Sequence, residues 1–221
     1  AGERRVSAQD PAELFDVYDA DGTSAGYSKP RAAVHRDGDW HRAVHVWVMG
    51  ETAARDGYLL VQRRGYGKDT WPGYLDVSVG GHYAAGETVF DVLRETDEEI
   101  GVRCELTHLI PLGTRISAND RPEFQDVFLY RDDRPLTGFV PNPAELAELL
   151  QIRLGDLIPL LQSQQASLPA ISLGVDGGTI REMEVRAEEF VPTTDRYYLN
   201  VAILAQRALR GEDNLALSWG T

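Results

Sequence analysis

The sequence lacks most features that mark exported and membrane-spanning proteins. Its single cysteine, Cys104, excludes an internal disulfide and fits a reducing compartment. No apolar run approaches the roughly 18 residues of a transmembrane helix, and the segment AGERRVSAQDPAEL has no apolar stretch typical of a secretory signal. From these absences we expect a cytoplasmic protein that does not contact a membrane.

Positive charge is also scarce. The chain has 22 Lys and Arg residues against 35 Asp and Glu residues, which gives a formal net charge of −13. This surplus of negative charge opposes binding to a nucleic-acid polymer or an anionic membrane. It does not oppose binding of a small phosphorylated molecule through a divalent metal, because such a metal takes carboxylate ligands.

The chain suits one domain with a sizeable core, since 43% of its 221 residues are hydrophobic. We predict a frayed tail over residues 1–11 and a single domain over residues 12–221. The segments HRAVHVWVMG, GYLLVQRR, YLDVSVGGH and EFQDVFLYR predict strands, the first two joined as a hairpin. A capping-box pattern at Thr88 and Asp91 starts a helix that stops at Gly101, and TDRYYLNVAILAQRALRG predicts another helix. Together these elements indicate a mixed sheet with helices on its faces, in an α/β or α+β domain.

The helix that starts at Thr88 carries an unusual concentration of carboxylates. Glu95, Glu98 and Glu99 occupy positions i, i+3 and i+4, so they share one helix face and repel one another. One explanation is a solvated face with arginine partners nearby. The other is a site for a hard cation such as Mg²⁺ or Mn²⁺, because these ions take oxygen ligands. The preceding glycine-rich turn, VGGHYAAGE, favours the cation site, since its backbone can approach a ligand closely.

The segment GGHYAAGETVFDVLRETDEEIGV resembles the Nudix box. The family pattern is a Gly, five residues, a Glu, seven residues, Arg-Glu, an apolar residue, any residue, Glu-Glu, any residue, Gly and an apolar residue. The matching positions are Gly81, Glu87, Arg94, Glu95, Glu98, Glu99, Gly101 and Val102. Two positions depart from the pattern: six residues separate Glu87 from Arg94, and Thr96 replaces an aliphatic residue.

The resemblance implies a Nudix α/β/α sandwich and metal-dependent hydrolysis of a diphosphate joined to another group, by water attack on phosphorus. It implies that Glu98 and Glu99 ligate Mg²⁺ or Mn²⁺ with Glu95 beside them, and that Gly81 contributes its backbone carbonyl. Arg94, together with Glu87 and Gly101, is expected to be structural, with Arg94 orienting a glutamate. Metal-held water is the nucleophile that such chemistry uses.

A longer stretch, from about residue 13 to residue 131, resembles a Nudix subgroup related to type I isopentenyl-diphosphate isomerase. There, His35, His41 and His82 occupy positions similar to metal-binding histidines, and Glu123 matches a further acidic residue that is a metal ligand or a general base. A surface or hydrogen-bonded role stays open for each histidine, and an ordinary loop-edge role for Glu123. The essential cysteine of the isomerase corresponds to Gly80, which argues against isomerase chemistry.

Basic residues in QRRGYGKDTWPG are candidate contacts to a distal phosphate or another acidic group. They are Arg63, Arg64 and Lys68, for which solvation is the alternative. Trp71 could stack on a base, although packing of the loop is the favoured interpretation.

Three functions remain in competition. The first is a Nudix diphosphohydrolase acting on a nucleotide or other small diphosphate, and the second is an isomerase of isopentenyl diphosphate. The third is a non-catalytic module that senses a phosphorylated ligand. The family resemblance also favours a homodimer.

Overall fold

The computed structural model describes residues 10–118, 121–176 and 178–217. The predicted tail over residues 1–11 lies almost wholly outside this part of the chain. Within the described residues, no helix has the length and apolarity needed to cross a membrane.

The described residues form eleven β-strands and five α-helices. The strands are Leu14–Tyr18 (β1), Ser24–Pro30 (β2), His41–Glu51 (β3), Gly57–Arg64 (β4), Leu75–Asp76 (β5), Val79–His82 (β6), Leu109–Ser117 (β7), Glu123–Arg131 (β8), Leu146–Arg153 (β9), Leu168–Gly174 (β10) and Ile180–Val185 (β11). The α-helices are Arg31–Asp37 (α1), Val89–Val92 (α2), Arg94–Ile100 (α3), Leu154–Leu161 (α4) and Tyr197–Leu209 (α5).

The larger sheet is mixed, as the sequence predicted. Its main path runs β11-β10-β9-β4-β3-β8-β7, while β5 pairs with β4 and β6 pairs with β3. The β3–β8 pair is parallel and the β3–β4 pair is the expected antiparallel hairpin. Strands β1 and β2 form a separate two-stranded antiparallel sheet.

Hydrophobic residues cover both faces of this sheet. On one face, Trp47 and Leu150 belong to a core that includes residues of α4 and α5. On the other face, Val46 and Leu60 belong to a core that includes Val92 of α2 and residues of α3. Alternate residues of β3 therefore point into opposite cores, as the two-residue period of a strand requires. The result is the three-layer α/β/α sandwich that the resemblance implied.

The helix predicted over residues 88–100 is divided at Leu93 into α2 and α3. The Leu93 carbonyl accepts hydrogen bonds from the Thr96 amide at 3.1 Å and the Thr96 hydroxyl at 2.8 Å, which tightens this turn. The predicted capping box is confirmed, because Asp91 Oδ2 accepts from the Thr88 amide at 2.9 Å. Gly101 ends α3 in the left-handed region, with φ at 70°. Helix α1 and strand β10 were not predicted.

Candidate functional site

Strand pairing brings three of the candidate residues to one end of the sheet. The parallel register of β3 and β8 places His41 opposite Glu123. The antiparallel register of β3 and β6 places Ala43 opposite His82, so His82 lies beside the same pair. Helix α1 contributes His35, whose ring centroid is 5.1 Å from that of His41.

The three imidazoles form a compact cluster. One ring nitrogen from each of His35, His41 and His82 lies within 4.8 Å of the others. His41 Nδ1 is 3.0 Å from the Asp39 carbonyl oxygen and donates to it, so Nε2 is the ring nitrogen left for another partner. Within the described structure, the buried Nε2 atoms of His35 and His41 have no hydrogen-bond partner.

Glu123 completes this cluster with one carboxylate. Its Oε1 atom is 3.2 Å from His82 Nε2 and 3.6 Å from His41 Nε2. Burial opposes ionisation of Glu123, but the two neighbouring imidazoles outweigh it and hold the carboxyl pKa well below its usual range. Burial lowers the pKa of His35 to about 3 and that of His82 to about 4. At neutral pH the imidazoles of His35 and His82 are therefore neutral, and the Glu123 carboxyl beside His82 is ionised.

The carboxylates of α3 do not all point the same way. Glu99 is buried and its Oε2 accepts a hydrogen bond from Gln62 Nε2 at 3.2 Å. Glu95 is mostly buried, with Oε1 at 3.3 Å from Arg94 Nη2. Burial raises the pKa of Glu95 to about 7 and that of Glu99 well above its usual range. The Glu98 side chain is 58% exposed and lies 3.9 Å from Arg94 Nε, so the structure does not bring it to the other two.

The glycine-rich turn allows Glu95 to approach the sheet. A Cβ atom on Gly81 would lie 2.5 Å from Glu95 Cγ, so only glycine leaves room for this carboxylate. The shortened box spacing does not separate Glu87 from Arg94, because these side chains form an ion pair. Glu87 also accepts a hydrogen bond from the Ala84 amide at 2.8 Å, which closes the turn.

These groups line one small polar space, which we call the inner cavity. It has a volume of about 90 Å³. Its lining contains Glu13, Arg31, His35, Arg64, Lys68, Thr70, Gly80, Gly81, His82, Glu95, Glu99, Arg121, Glu123 and Glu145. Two carboxylates of α3, Glu95 and Glu99, and two of the clustered histidines, His35 and His82, thus line the same space.

Two of the three predicted basic residues reach the inner cavity. Arg64 and Lys68 line it, and Lys68 also pairs with Glu145. Arg63 does not line it, because its guanidinium donates to the Gly73 carbonyl at 3.0 Å and to Glu189 at 3.0 Å.

The sequence interpretation missed several residues that line the inner cavity. Arg31 lies in α1, the helix that was not predicted, and Glu145 lies in the segment before β9. Neither position carries a local pattern that would single it out. Their placement depends on how distant segments of the chain pack together.

A larger space adjoins the first, and we call it the outer cavity. It has a volume of about 630 Å³ and shares Gly80, Gly81, His82 and other residues with the inner cavity, so the two are continuous. Residues that line only the outer cavity come from strands β3, β7 and β8, from helix α5 and from the segment before α5.

Known proteins resemble this chain over most of its length. The sequence profile of the NUDIX domain matches residues 39–170. An uncharacterised Nudix hydrolase of Clostridium acetobutylicum is 30% identical over 157 residues, which covers 69% of this chain and 75% of that protein. The isopentenyl-diphosphate Delta-isomerase of Clavibacter sepedonicus is 32% identical over 154 residues, covering 66% of this chain and 77% of that protein. This second relative supports the resemblance to the isomerase subgroup.

Coverage differs among the relatives. Nudix hydrolase 3 of Arabidopsis thaliana is 51% identical over 92 residues, but that match spans 41% of this chain and only 12% of the plant protein. Among solved structures, a Nudix hydrolase from Alicyclobacillus acidocaldarius has a TM-score of 0.51 at 17% identity, covering 81% of this chain and 97% of that one. The structural likeness shows the fold. The match to the NUDIX domain profile and the 30% identity to the Clostridium acetobutylicum protein show the family. The chain belongs to the Nudix hydrolase family.

Proposed function

We propose that this protein is a divalent-metal-dependent hydrolase that cleaves a diphosphate linkage in a nucleotide or other phosphorylated small molecule. The observation that carries the proposal is the inner cavity itself. It joins two box carboxylates, two of the three clustered histidines and an ionised Glu123 with basic side chains, at a size suited to charged groups and ions, and His41 lies beside these histidines. The substrate's diphosphate would lie there, and its organic part would extend into the outer cavity.

The histidine cluster fits a bound metal ion. Neutral imidazole nitrogen is a common ligand of divalent metals, and the buried Nε2 atoms of His35 and His41 have no hydrogen-bond partner in the described structure. The Asp39 carbonyl accepts a hydrogen bond from His41 Nδ1 and orients its ring, as backbone carbonyls commonly orient metal-binding imidazoles. We propose His35, His41, His82 and Glu123 as one donor set, in which Mn²⁺ is the better match because it accepts mixed nitrogen and oxygen ligands.

The α3 carboxylates fit a second position for a hard cation. Glu99 is buried and Glu95 is mostly buried, and their raised pKa values indicate that nearby positive charge is insufficient to stabilise both anions. Mg²⁺ or Mn²⁺ would supply that charge, with the Gly81 carbonyl as an additional oxygen donor. Glu98 remains a predicted ligand from the family pattern, and reaching the cavity would require its exposed side chain to turn inward.

When bound, a divalent ion neutralises phosphate charge and lowers the pKa of the water that attacks. The protein's own side chains have separate tasks. Arg64 and Lys68 would hold phosphate oxygens, and Arg31 adds charge from α1. Glu123 is ionised at neutral pH and can either hold an ion or accept a proton from water.

Isomerase activity is the second candidate, because relatives named isopentenyl-diphosphate isomerase align with most of this chain. Gly80 supplies no thiol beside the cavity. Cys104 cannot replace it, since it packs against the core on the α2–α3 face and burial raises its pKa to about 11. We therefore expect no hydrogen exchange into isopentenyl diphosphate.

The test is a panel of small diphosphates incubated with Mg²⁺ or Mn²⁺, with release of phosphate or a monophosphate as the readout. We expect turnover with at least one compound and a loss of at least a hundredfold in Glu99→Gln. Glu98→Gln tests whether the exposed carboxylate is needed. Tight binding without turnover across the panel would favour the sensor function, and turnover of Glu99→Gln at the wild-type rate would contradict the assignment of that residue.

The homodimer and the cytoplasmic location remain predictions from the sequence. Sedimentation of the purified protein would test the first. Fractionation of cells that express it would test the second.

A further inference from the structure

A chain of hydrogen bonds connects the segment before α5 to the Glu123 carboxylate. Asp195 lies in that segment, and its two carboxylate oxygens accept from Arg115 Nε at 2.6 Å and from Arg115 Nη2 at 3.0 Å. Arg115 of β7 also donates from Nη1 to Gln125 Oε1 at 2.8 Å. Gln125 of β8 in turn donates from Nε2 to Glu123 Oε2 at 2.6 Å. Four side chains from three parts of the fold are thus joined in one line.

The register of the sheet builds the middle of this chain. Arg115 and Gln125 lie directly opposite each other in the antiparallel pair of β7 and β8. Gln125 follows Glu123 by two positions, so both side chains leave the same face of β8. Arg115 is 8% exposed and Gln125 is 6% exposed, so their polar atoms depend on these protein partners rather than on bulk water.

The direction of every hydrogen bond in the chain follows from the chemistry of its members. A guanidinium group can only donate, and a carboxylate can only accept. Gln125 therefore turns its amide oxygen to Arg115 and its amide nitrogen to Glu123. The reversed amide would place N–H against N–H on one side and oxygen against oxygen on the other.

This arrangement distinguishes the two oxygens of Glu123. Oε2 is held by Gln125, whereas Oε1 is the oxygen near the imidazoles, at 3.2 Å from His82 Nε2 and 3.6 Å from His41 Nε2. The Asp195 carboxylate offsets the charge of Arg115. The chain thus adds a hydrogen bond at Glu123 without adding net positive charge beside a cation site.

We propose that Gln125 is a positioning residue for the metal site, because its amide holds one oxygen of Glu123 and leaves the other oxygen for an ion among the histidines. Arg115 acts through Gln125, and Asp195 acts through Arg115. This inference rests on the proposed function for the presence of a divalent ion at the histidine cluster. It adds three residues outside the box that set how tightly that ion is bound.

The test is calorimetric titration of Mn²⁺ into the full chain. Binding at the histidine cluster is the component that His41→Asn weakens, and all other variants are compared on that component. Gln125→Met keeps a side chain of similar length but can neither donate to Glu123 nor accept from Arg115. We expect it to bind Mn²⁺ at least tenfold more weakly, as is typical when the partner that orients a metal ligand is removed.

Arg115→Met tests whether the arginine acts through Gln125. Alone, it should weaken Mn²⁺ binding at least threefold, because the amide then loses the group that fixes its orientation. In a protein that already carries Gln125→Met it should weaken binding by less than a further twofold, because the link to Glu123 is already broken.

Thr114→Val is the matched control. Thr114 Oγ1 donates to Asp126 Oδ1 at 2.8 Å across the same two strands, one position along from Arg115 and Gln125 and on the opposite face of the sheet. Removing this hydrogen bond disturbs the same strand pair away from the cavities, so Mn²⁺ affinity should stay within twofold of wild type. Thermal unfolding shows that each variant is folded before it is titrated.

Co²⁺ provides a second readout, because its visible absorption spectrum depends on the number and geometry of its ligands. We expect Gln125→Met to change the spectrum of the Co²⁺-loaded protein. Thr114→Val should give the wild-type spectrum. A loss of stability alone would not produce this difference.

The inference is overturned if Gln125→Met binds Mn²⁺ as tightly as wild type, if Thr114→Val weakens binding equally, or if His41→Asn weakens no component. It is also overturned if the effects of Arg115→Met and Gln125→Met add in full, or if Gln125→Met leaves the Co²⁺ spectrum unchanged. These measurements report metal binding without turnover. The proposed function fails separately, when the wild-type protein releases no phosphate from any hydrolysable diphosphate.

Discussion

Replacing Glu95 by glutamine is expected to stabilise the metal-free protein while removing its activity. In the folded state, burial raises the pKa of this carboxyl from its ordinary value of 4.5 to about 7. The folded protein thus holds the proton more tightly than the unfolded chain does. Between pH 4.5 and about pH 7 this carboxyl binds fewer protons in the unfolded chain than in the folded protein. The free energy of unfolding therefore falls as pH rises through this range.

The size of this effect follows from the two pKa values. Above pH 7 the ionised, buried carboxylate lowers the free energy of unfolding by about 3 kcal/mol, at pH 5.5 by about 1.5 kcal/mol, and at pH 4 by almost nothing. Glutamine has nearly the same shape and no charge. In a chelating buffer Glu95→Gln should therefore raise the melting temperature by roughly 6–12 °C at pH 8 and hardly at all at pH 4.

The assay is thermal unfolding at a series of pH values, with and without Mn²⁺. Glu98→Gln is the matched control, because it changes the same charge on the same helix at a side chain that is 58% exposed. We expect its melting temperature to stay within about 2 °C of wild type at every pH. With Mn²⁺ present the wild type should gain stability and Glu95→Gln should gain less. The reasoning is refuted if Glu95→Gln changes stability equally at pH 4 and pH 8, or if Glu98→Gln reproduces its gain.

Three further predictions concern the inner cavity. Gly81→Ala should lower turnover at least tenfold, because its Cβ would lie 2.5 Å from Glu95 Cγ and displace that carboxylate. Gly67→Ala is the control and should leave turnover unchanged, because the space around its Cβ is open. His41→Asn should weaken Mn²⁺ binding at least tenfold by calorimetry, since it removes the buried Nε2 atom. Unchanged affinity would show that the histidines do not bind the metal. Lys68→Gln should raise KM several-fold with little change in kcat if the ammonium group holds a non-reacting phosphate, and an unchanged KM would count against that contact.

Much of the fold follows from local sequence pattern. The strands at HRAVHVWVMG and EFQDVFLYR and the capping box at Thr88 are strong signals because they depend on neighbouring residues alone. Helix α1 is seven residues long and lacks a side-chain N-cap, so its sequence carries little helical signal. Its position is set by packing against β1 and β2, which no local pattern specifies.

The site was predictable where residue spacing encodes geometry. Glu95 and Glu99 share a helix face because they are four positions apart, and both reach the inner cavity. Glu98 shares that face in the same approximation but turns to solvent and Arg94, which spacing alone cannot distinguish.

The most direct test of the account is an anomalous-scattering map from a crystal of the full chain soaked in Mn²⁺ at pH 8. We predict one peak bounded by the Glu95 and Glu99 carboxylates and another among the nitrogen atoms of His35, His41 and His82. A map with no peak at either position, in a crystal whose inner cavity is open to solvent, would contradict the claim that this cavity is a metal site.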